Sequence, residues 1–263
     1  MYFQIGADPE LFVKKGAEYL SAYGLIPGDK QYPHPVNNGA VQVDGMALEF
    51  NIDPADTEDG FIFNIKSVMQ QLMQMVPDYE VVTDPVATFS EEYLKTQPLA
   101  ALMLGCDPDF NAWTGEINKK PEAVRPIRTA AGHVHIGWTE DADIQDELHL
   151  NSCRMIIKQL DFCLGLPSLL FDKDTERREL YGAAGAFRPK SYGVEYRVLS
   201  NRWLSDDRLI RWVYRATEDA LLTVRDRPFY LEFGDIQHVI NTSDVSEAKR
   251  IIAAAGIAVP EGV

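Results

Sequence analysis

Cysteine is scarce in this chain. Only three occur among 263 residues, at Cys106, Cys153 and Cys163, and no two of them are spaced as Cys-x-x-Cys. Three widely spaced cysteines do not indicate a disulfide framework, and the absence of a Cys-x-x-Cys motif argues against a zinc site with thiolate ligands. Cys153 and Cys163 lie in a helical apolar pattern, so we expect both to pack as small hydrophobic residues. This usage predicts a reducing, cytoplasmic setting.

Long apolar runs are also missing. No stretch approaches the ~18 residues that a membrane helix needs, so we expect no membrane span. The opening residues, MYFQIGADPE, lack the basic start and apolar stretch of a secretion signal. Hydrophobic residues still make up 46% of the chain, which is enough for a real core. Because no linker-like tract interrupts the sequence, we expect a single domain over residues 1–263.

Basic residues are too few to offset the acids. Lys and Arg total 25 against 40 Asp and Glu, giving a net charge of −15, so the overall field repels nucleic acid. The simplest interpretation of this surplus is solubility. One segment differs, because ERRELYGAAGAFRPKSYGVEYRVLSNRW holds five arginines and Lys190. Guanidinium groups concentrated in this way favour a phosphate or carboxylate site.

Glycine-rich phosphate loops are absent as well. The sequence contains neither GxGxxG nor a Walker-type motif. A bound nucleotide would therefore depend on metal ions and arginines rather than on a glycine-rich helix N-terminus.

The order of predicted elements favours an α+β fold with a mainly antiparallel sheet. In AVQVDGMALEFNI, two β-prone runs joined by Asp44-Gly45 indicate a hairpin. Residues 90–128, rich in Pro, Asn and Gly, are predicted to be irregular. Helical spacing of apolar residues predicts helices over 59–76, 146–166, 206–225 and 245–257. Further strands are predicted near the amino terminus and over 79–89, 132–138 and 192–200.

Four predicted strands carry polar side chains that share one face. Residues two apart in a strand point the same way, so alternate positions align. The aligned residues are Asp8 and Glu10 in GADPELF, Glu49 in LEFNI, His133 and His135 in GHVHIG, and Glu195 and Arg197 in GVEYR. One such strand alone would indicate a solvated face or a cross-strand ion pair. Four of them predict a shared polar patch, provided that the strands are neighbours.

Such a patch requires countercharge. Crowded carboxylates raise each other's pKa unless a cation lies between them. Oxygen-rich ligands with an imidazole suit magnesium or manganese, and nearby arginines call for an anion. Divalent cations and arginines around a phosphate make a phosphoryl-transfer site.

These motifs also resemble a known family. GADPELF, LEFNI, GHVHIG and GVEYR together are similar to motifs of carboxylate–amine ligases of the glutamine synthetase and glutamate–cysteine ligase superfamily. RRELYGAAGAFRPKSYGVEYRVLSNRW and LDFCLGLP resemble its phage-type carboxylate–amine ligase family. The resemblance covers roughly residues 4–215.

The resemblance implies a fold, a reaction and a setting. The fold is a curved antiparallel sheet like the glutamine synthetase catalytic domain, with helices on its convex face and ATP and two or three divalent cations on its concave face. ATP would phosphorylate a carboxylate, and an amine would attack the acyl phosphate to form an amide. Substrates would be small molecules or peptides. Many relatives form rings or dimers, so the resemblance allows a homo-oligomer, in the host cytoplasm if the chain is phage-encoded.

The resemblance also implies roles for individual residues. Asp8 stands where the family's motif usually has glutamate. The implied metal ligands are Asp8, Glu10, Glu49, His133 and Glu195. The implied phosphate-binding residues are Arg178, Arg188 and Arg197, of which Arg188 and Arg197 would be catalytic. The implied substrate-side residues are His135 and, if the fold brings it there, Arg128.

Several alternatives remain open on the sequence alone. The base that deprotonates the amine is not readable, and candidates in the irregular region are Asp107, Asp109 and Glu116. Asp44 is better explained as a turn residue than as a ligand. A strand with His-x-His also occurs in metal-dependent hydrolases, which would act without nucleotide. A non-catalytic relative that keeps the fold is the third hypothesis.

Overall fold

The computed structural model describes residues 2–103, 109–118 and 126–262. Its centre is an open sheet of ten strands in which every pairing is antiparallel, with the main order β3-β4-β5-β1-β10-β12-β11-β8. Strands β2 and β6 pair with β1, while β7 and β9 form a separate pair. The strands are β1 (Gln4–Lys15), β2 (Glu18–Leu20), β3 (His34–Val36), β4 (Gly39–Asp44), β5 (Ala47–Ile52), β6 (Glu80–Val82), β7 (Val86–Thr88), β8 (Phe110–Asn111), β9 (Ile127–Thr129), β10 (Gly132–Gly137), β11 (Ala186–Lys190) and β12 (Gly193–Tyr196).

The helices confirm the predicted α+β class. They are α1 (Glu58–Met75), α2 (Glu91–Thr96), α3 (Leu99–Leu102), α4 (Glu147–Leu160), α5 (Leu166–Ser168), α6 (Thr175–Leu180), α7 (Asp207–Thr223), α8 (Phe229–Glu232), α9 (Gln237–Asn241) and α10 (Val245–Ala255). A π-helical turn, Asp161–Gly165, joins α4 to α5, and a 3-10 turn spans Asn201–Ser205. Within the described ranges, no helix combines the length and apolar character needed to cross a bilayer.

The region predicted to be irregular is partly helical. Its described residues include α2 and α3, which are too short for a helical period to be recognised. Serine and proline begin these helices, and the Ser90 side chain accepts a hydrogen bond from the Tyr93 amide. Cys106 and Asp107 lie outside the described residues. Cys153 and Cys163 are buried and free, as predicted.

Side-chain alternation gives the central sheet one apolar face. On β1, β10 and β12, alternate residues such as Ala7, Val134 and Val194 are buried. Residues of α1, α4 and α7 belong to the same core cluster, so these helices cover that face. The residues between these apolar positions must lie on the opposite face, which is where the charged side chains of the four motifs are found.

A second, smaller core closes one end of the polar face. Phe12 follows Glu10 two residues along β1 and therefore lies on the same side. Its ring packs edge-on against Phe89, with centroids 6.5 Å apart, within a cluster that includes Met46, Ala101 and Ala130. This second hydrophobic cluster thus forms an apolar boundary at one end of the charged part of the polar face.

The π-helical turn places a carboxyl group inside the main core. Asp161 is fully buried, where Trp113 Nε1 donates to Oδ2 at 2.7 Å and the Tyr196 hydroxyl donates to Oδ1 at 2.9 Å. Burial raises the pKa of Asp161 to about 7, and the two donated hydrogen bonds only partly oppose this rise. A β-carbon at Gly165 would lie 3.0 Å from the Tyr196 hydroxyl, so glycine makes room for this contact.

We expect Asp161→Asn to change the pH dependence of stability. Because the folded-state pKa is raised from 3.8 to about 7, the unfolded state loses its proton first, and wild-type stability falls as pH rises through this window. The fall attributable to Asp161 reaches on the order of 4 kcal/mol by pH 7 and then levels off. Chemical unfolding from pH 5 to 8 should show the wild type losing stability relative to Asp161→Asn, with exposed Asp226→Asn as the control. Parallel profiles for wild type and Asp161→Asn would contradict the assignment.

Candidate active site

The sheet topology brings the four polar motifs together. Strand β1 lies between β5 and β10, and β10 is followed by β12 and β11. The register places Asp8 opposite His133, Glu10 opposite Glu49, and His135 opposite Glu195. These side chains share one face, so the geometry places the residues of GADPELF, LEFNI, GHVHIG and GVEYR side by side.

A carboxylate–imidazole cluster occupies the middle of this face. Asp8 Oδ1 lies 2.9 Å from His135 Nε2 and 3.2 Å from His133 Nδ1, and the latter nitrogen is 3.4 Å from Glu195 Oε1. Asp8, His135 and Glu195 each offer one ligand atom, and these atoms lie within 4.8 Å of one another. Both histidines therefore contact Asp8, and the three-residue group contains His135, which the resemblance had placed on the substrate side.

The titration properties of this cluster reflect burial and charge pairing. Burial alone would raise the pKa of Asp8, but the charges of His135 and His133 outweigh it and hold that pKa well below its usual value. His135 is the reverse case, since Asp8 raises its pKa despite burial. Burial and the charge of Arg197 lower the pKa of His133 to about 4, which keeps this imidazole neutral, the form that binds metals.

Two further glutamates extend the acidic side. Glu10 and Glu49 face each other across β1 and β5, and Glu10 Oε2 accepts a hydrogen bond of 2.8 Å from the Ala131 amide. Burial and then the charges of Asp44 and Asp8 raise the pKa of Glu10 to about 7. Burial, Asp8 and Glu10 likewise raise the pKa of Glu49 well above its usual value. Mutual repulsion of the crowded carboxylates therefore adds to burial in raising both pKa values.

The basic side of the site consists of cationic side chains around the carboxylate of Glu195, a residue that is 1% exposed. Its Oε2 lies 2.8 Å from Lys190 Nζ and 3.6 Å from Arg188 Nη1, while its Oε1 pairs with Arg197 Nη1. Arg197 Nε also lies 3.2 Å from Asp109 Oδ2. Arg188, Lys190 and Arg197 therefore form a basic cluster beside the acids, and Glu195 belongs to both sides.

Three residues of the site were not assigned roles from the sequence. The Tyr181 hydroxyl lies 3.1 Å from His133 Nε2, and the Tyr192 hydroxyl makes a short contact with His135 Nδ1. Lys190 could have been found by the same two-residue alternation that aligns the histidines, since it follows Arg188 by two positions on β11. The tyrosines lie in turns, where no periodic signal exists.

Arg178 is placed differently from the prediction. It is buried beside α9, where its Nη1 donates to Asp174 O at 2.7 Å and to Ser243 Oγ at 3.0 Å. Asp172 lies 3.7 Å from its Nη2. Helix α6 thus turns this guanidinium into the protein interior, away from Arg188, and the phosphate contact expected of Arg178 stays a prediction.

Arg128 lies on β9, which belongs to the separate two-stranded pair. Its side chain is buried, and its Nη1 donates to Ile127 O at 2.9 Å. The large sheet that carries the charged face does not include this strand. The proposed substrate contact of Arg128 stays a prediction.

The candidates for a general base differ in position. Asp109 is half-buried and pairs with Arg197, whereas Glu116 is exposed in a turn. Asp107 is outside the described residues. Asp44 ends β4 and lies 3.3 Å from Lys30 Nζ, immediately before the turn at Gly45, which has a φ of +58°. The hairpin and the position of Asp44 beside its turn are therefore as predicted.

The residues present fit divalent cations. Glu49 Oε2 is buried and has no hydrogen-bond partner in the described part of the chain. An unpartnered buried carboxylate oxygen is costly unless a cation or donor satisfies it. Carboxylate oxygens with an imidazole form a ligand set that magnesium and manganese accept. Asp8, His135 and Glu195, and separately Glu10 and Glu49, are the groups that would hold them.

Comparison with known proteins shows that part of the chain is similar to a family of carboxylate–amine ligases. The family model that matches the chain is described as Phage phiEco32-like COOH.NH2 ligase-type 2, and the match spans residues 127–235. This match confirms the family resemblance drawn from the sequence motifs. It covers less than half of the chain but includes β10, β11 and β12, whereas β1 and β5 lie outside it. No curated protein matches the chain.

Proposed function

We propose that this protein is an ATP-dependent carboxylate–amine ligase that forms an amide through an acyl phosphate. The family match supports the ligase class. ATP, magnesium or manganese, and a small-molecule or peptide carboxylate and amine belong to the proposal. It involves neither nucleic acid nor membrane, and it places the enzyme in a cytoplasm, alone or as a homo-oligomer.

The position of Glu195 is the observation that carries this proposal. One of its oxygens faces His133 and Arg197, and the other faces Lys190 and Arg188. A site that joins a cation-binding half to an anion-binding half suits a metal-bound polyphosphate. Neither half alone would favour phosphoryl transfer over simple metal or anion binding.

The chemistry explains why both halves are needed. A carboxylate is a poor electrophile and repels the phosphate that must be transferred to it. Arg188 and Arg197 would stabilise the transferred phosphoryl group as charge develops on its oxygens. A divalent cation, when bound, would neutralise charge on the phosphates. The amine would then attack the acyl carbon and expel phosphate, leaving an amide.

Hydroxylamine trapping tests the proposal without knowledge of the natural amine. Purified protein with ATP, magnesium and hydroxylamine should convert an accepted carboxylate into a hydroxamate, releasing one ADP and one phosphate for each hydroxamate formed. Amino acids, dicarboxylates and short peptides would be screened, with reactions lacking magnesium as the control. If no carboxylate reacts, equilibrium dialysis is used to measure ATP binding instead. Folded protein that binds no ATP in the presence of magnesium would refute the proposal.

A second candidate function rests on the three-residue group. Asp8, His135 and Glu195 could hold a single transition metal, as in a metal-dependent hydrolase. That enzyme would hydrolyse esters or amides without nucleotide. The basic cluster of Arg188, Lys190 and Arg197 has no evident task in such a reaction, so we favour the ligase. A non-catalytic relative would bind metal or nucleotide and show neither activity.

A further inference from the structure

A cavity of about 640 Å³ opens beside the acidic side of the site. Its lining combines apolar and aromatic side chains, among them Ile52, Pro54, Trp138 and Tyr192, with Gln42 and Glu49. The volume is typical of sites that enclose small organic molecules. A metal ion alone would not require apolar walls, so the cavity indicates an organic ligand next to the cation-binding groups.

Two buried oxygens in this lining lack partners. Gln42 and Glu49 are 6% and 7% exposed and face each other across β4 and β5. Gln42 Oε1 and Glu49 Oε2 have no hydrogen-bond partner within the part of the chain that the structure describes. Gln42 Oε1 is an amide oxygen that accepts hydrogen bonds only, and leaving a buried acceptor unsatisfied costs stability. Glu49 Oε2 is the oxygen that a divalent cation would satisfy, so Gln42 Oε1 is the atom that calls for a ligand with a hydrogen-bond donor.

The charge of the lining specifies the donor further. Asp8, Glu49 and Glu140 contribute carboxylates, whereas Lys30 is the single Lys or Arg among the described lining residues and pairs with Asp44 at 3.3 Å. His135 also lines the cavity and pairs with Asp8, so these two groups offset each other and Glu49 and Glu140 are the carboxylates in excess. An excess of carboxylates around the Gln42 acceptor favours a cationic donor over a neutral one.

We propose that this cavity binds the amine co-substrate in its ammonium form, with Gln42 Oε1 accepting one of its N–H groups beside the carboxyl group of Glu49. This inference rests on the proposed ligase function. The apolar walls receive the body of the amine. A carboxylate on the carbon next to the nitrogen would face Asp8 and Glu49, so the preferred substrate class is a primary amine without an α-carboxylate rather than a free α-amino acid.

Three compounds of matched shape test this class. Pentylamine is the probe, 1-pentanol replaces the ammonium with a neutral hydroxyl, and L-norleucine adds an α-carboxylate to the same carbon chain. Dissociation constants would be measured by ligand-observed NMR in the presence of magnesium. We expect pentylamine to bind at least about tenfold more tightly than either analogue, since each analogue loses or opposes a charged hydrogen bond. Equal or tighter binding of norleucine would overturn the assignment.

Gln42→Met locates the binding site. Methionine keeps the length of the side chain but removes the amide oxygen, so pentylamine should bind about tenfold more weakly. Gln70→Met makes the same replacement on an exposed position of α1 outside the cavity and should change nothing. Unchanged pentylamine affinity in Gln42→Met would contradict the inference. The inference would also be contradicted if pentylamine binding were lost simply in proportion to the magnesium added. The ammonium group would then be occupying the metal site.

Two further measurements separate this inference from the proposed function. ATP binding by the wild type with magnesium tests the ligase proposal, and it does not depend on which amine is accepted. Adenosine tests whether the cavity instead receives a nucleotide base. If adenosine displaced pentylamine and Gln42→Met weakened adenosine binding, the cavity would be a base site and the amine assignment would be wrong, while the ligase proposal would stand.

Discussion

Glu195→Gln should abolish ligase turnover, lowering the rate of ADP formation by at least about 10²- to 10³-fold. The substitution keeps the shape of the side chain but removes the charge that lies between His133 and the basic cluster. Without this carboxylate, the cation-binding half loses a ligand and the guanidinium groups lose the anion that orients them. Initial rates of ADP release under saturating ATP and magnesium provide the measurement.

The matched control is Glu18→Gln, which makes the same change at an exposed position on β2. Circular dichroism should show that both variants keep the wild-type secondary structure. A scaffold without chemistry would give no turnover to lose. If the wild type hydrolysed ATP in the ligase reaction and Glu195→Gln retained that rate, Glu195 would have no part in the reaction. The proposal that Glu195 joins the cation-binding and anion-binding halves of the site would then be wrong.

Arg177→Met should destabilise the protein by about 3 to 5 kcal/mol. Arg177 is 1% exposed, and its guanidinium donates to Ala130 O at 3.2 Å and to Val198 O and Leu199 O at 2.7 Å each. Burial lowers the pKa of Arg177 to about 10, which still leaves it charged at neutral pH. Methionine retains the apolar stem but leaves three buried carbonyl groups without their donor.

Chemical unfolding measures this loss as a shift in the denaturant midpoint. Arg225→Met, at an exposed position, should change stability by less than about 0.5 kcal/mol. A midpoint for Arg177→Met equal to that of this control would mean that the carbonyl groups find other partners. Because these carbonyls adjoin β10 and β12, the variant should also loosen the active site and lower turnover of the protein that remains folded.

The polar residues of the sheet could be predicted because strand alternation is a local rule. Asp8 with Glu10, and His133 with His135, align on any regular strand, whatever the neighbouring strands are. The order of the strands was not readable in this way. That β1 lies between β5 and β10 follows from packing of distant segments, which periodicity does not record, and the family resemblance implied only a curved antiparallel sheet.

The arginines show the limit of composition as a guide. Arg177, Arg178, Arg188 and Arg197 lie in one segment, and the sequence suggested a shared anion site. Strand β11 directs Arg188 to the site, but α6 buries Arg177 and Arg178 against backbone carbonyls and Asp172. A buried arginine that satisfies carbonyl groups and a solvated arginine that awaits phosphate look the same in sequence. Their separation depends on where the chain turns, at Tyr181 and Gly182.

Gln42 illustrates a residue that could have been found but was not. The turn after Asp44 fixes the hairpin register, and counting back from the Asp44–Ala47 pair places Gln42 opposite Glu49. That Gln42 Oε1 has no hydrogen-bond partner among the described residues could not have been predicted, since this depends on the shape of the cavity. The helices within residues 90–103 were missed because a single helical turn carries too little periodicity.

The placement of β1 at the middle of the sheet has a consequence for biosynthesis. The ribosome makes this strand first, yet its neighbour β10 ends at Gly137, more than a hundred residues later. At typical elongation rates of about 5–20 residues per second, β1 waits on the order of 10 s before that edge can pair. Until then its unpaired backbone groups are open to aggregation or to chaperone binding. The yield of folded protein in the cell should therefore depend on how well this strand is protected during that interval.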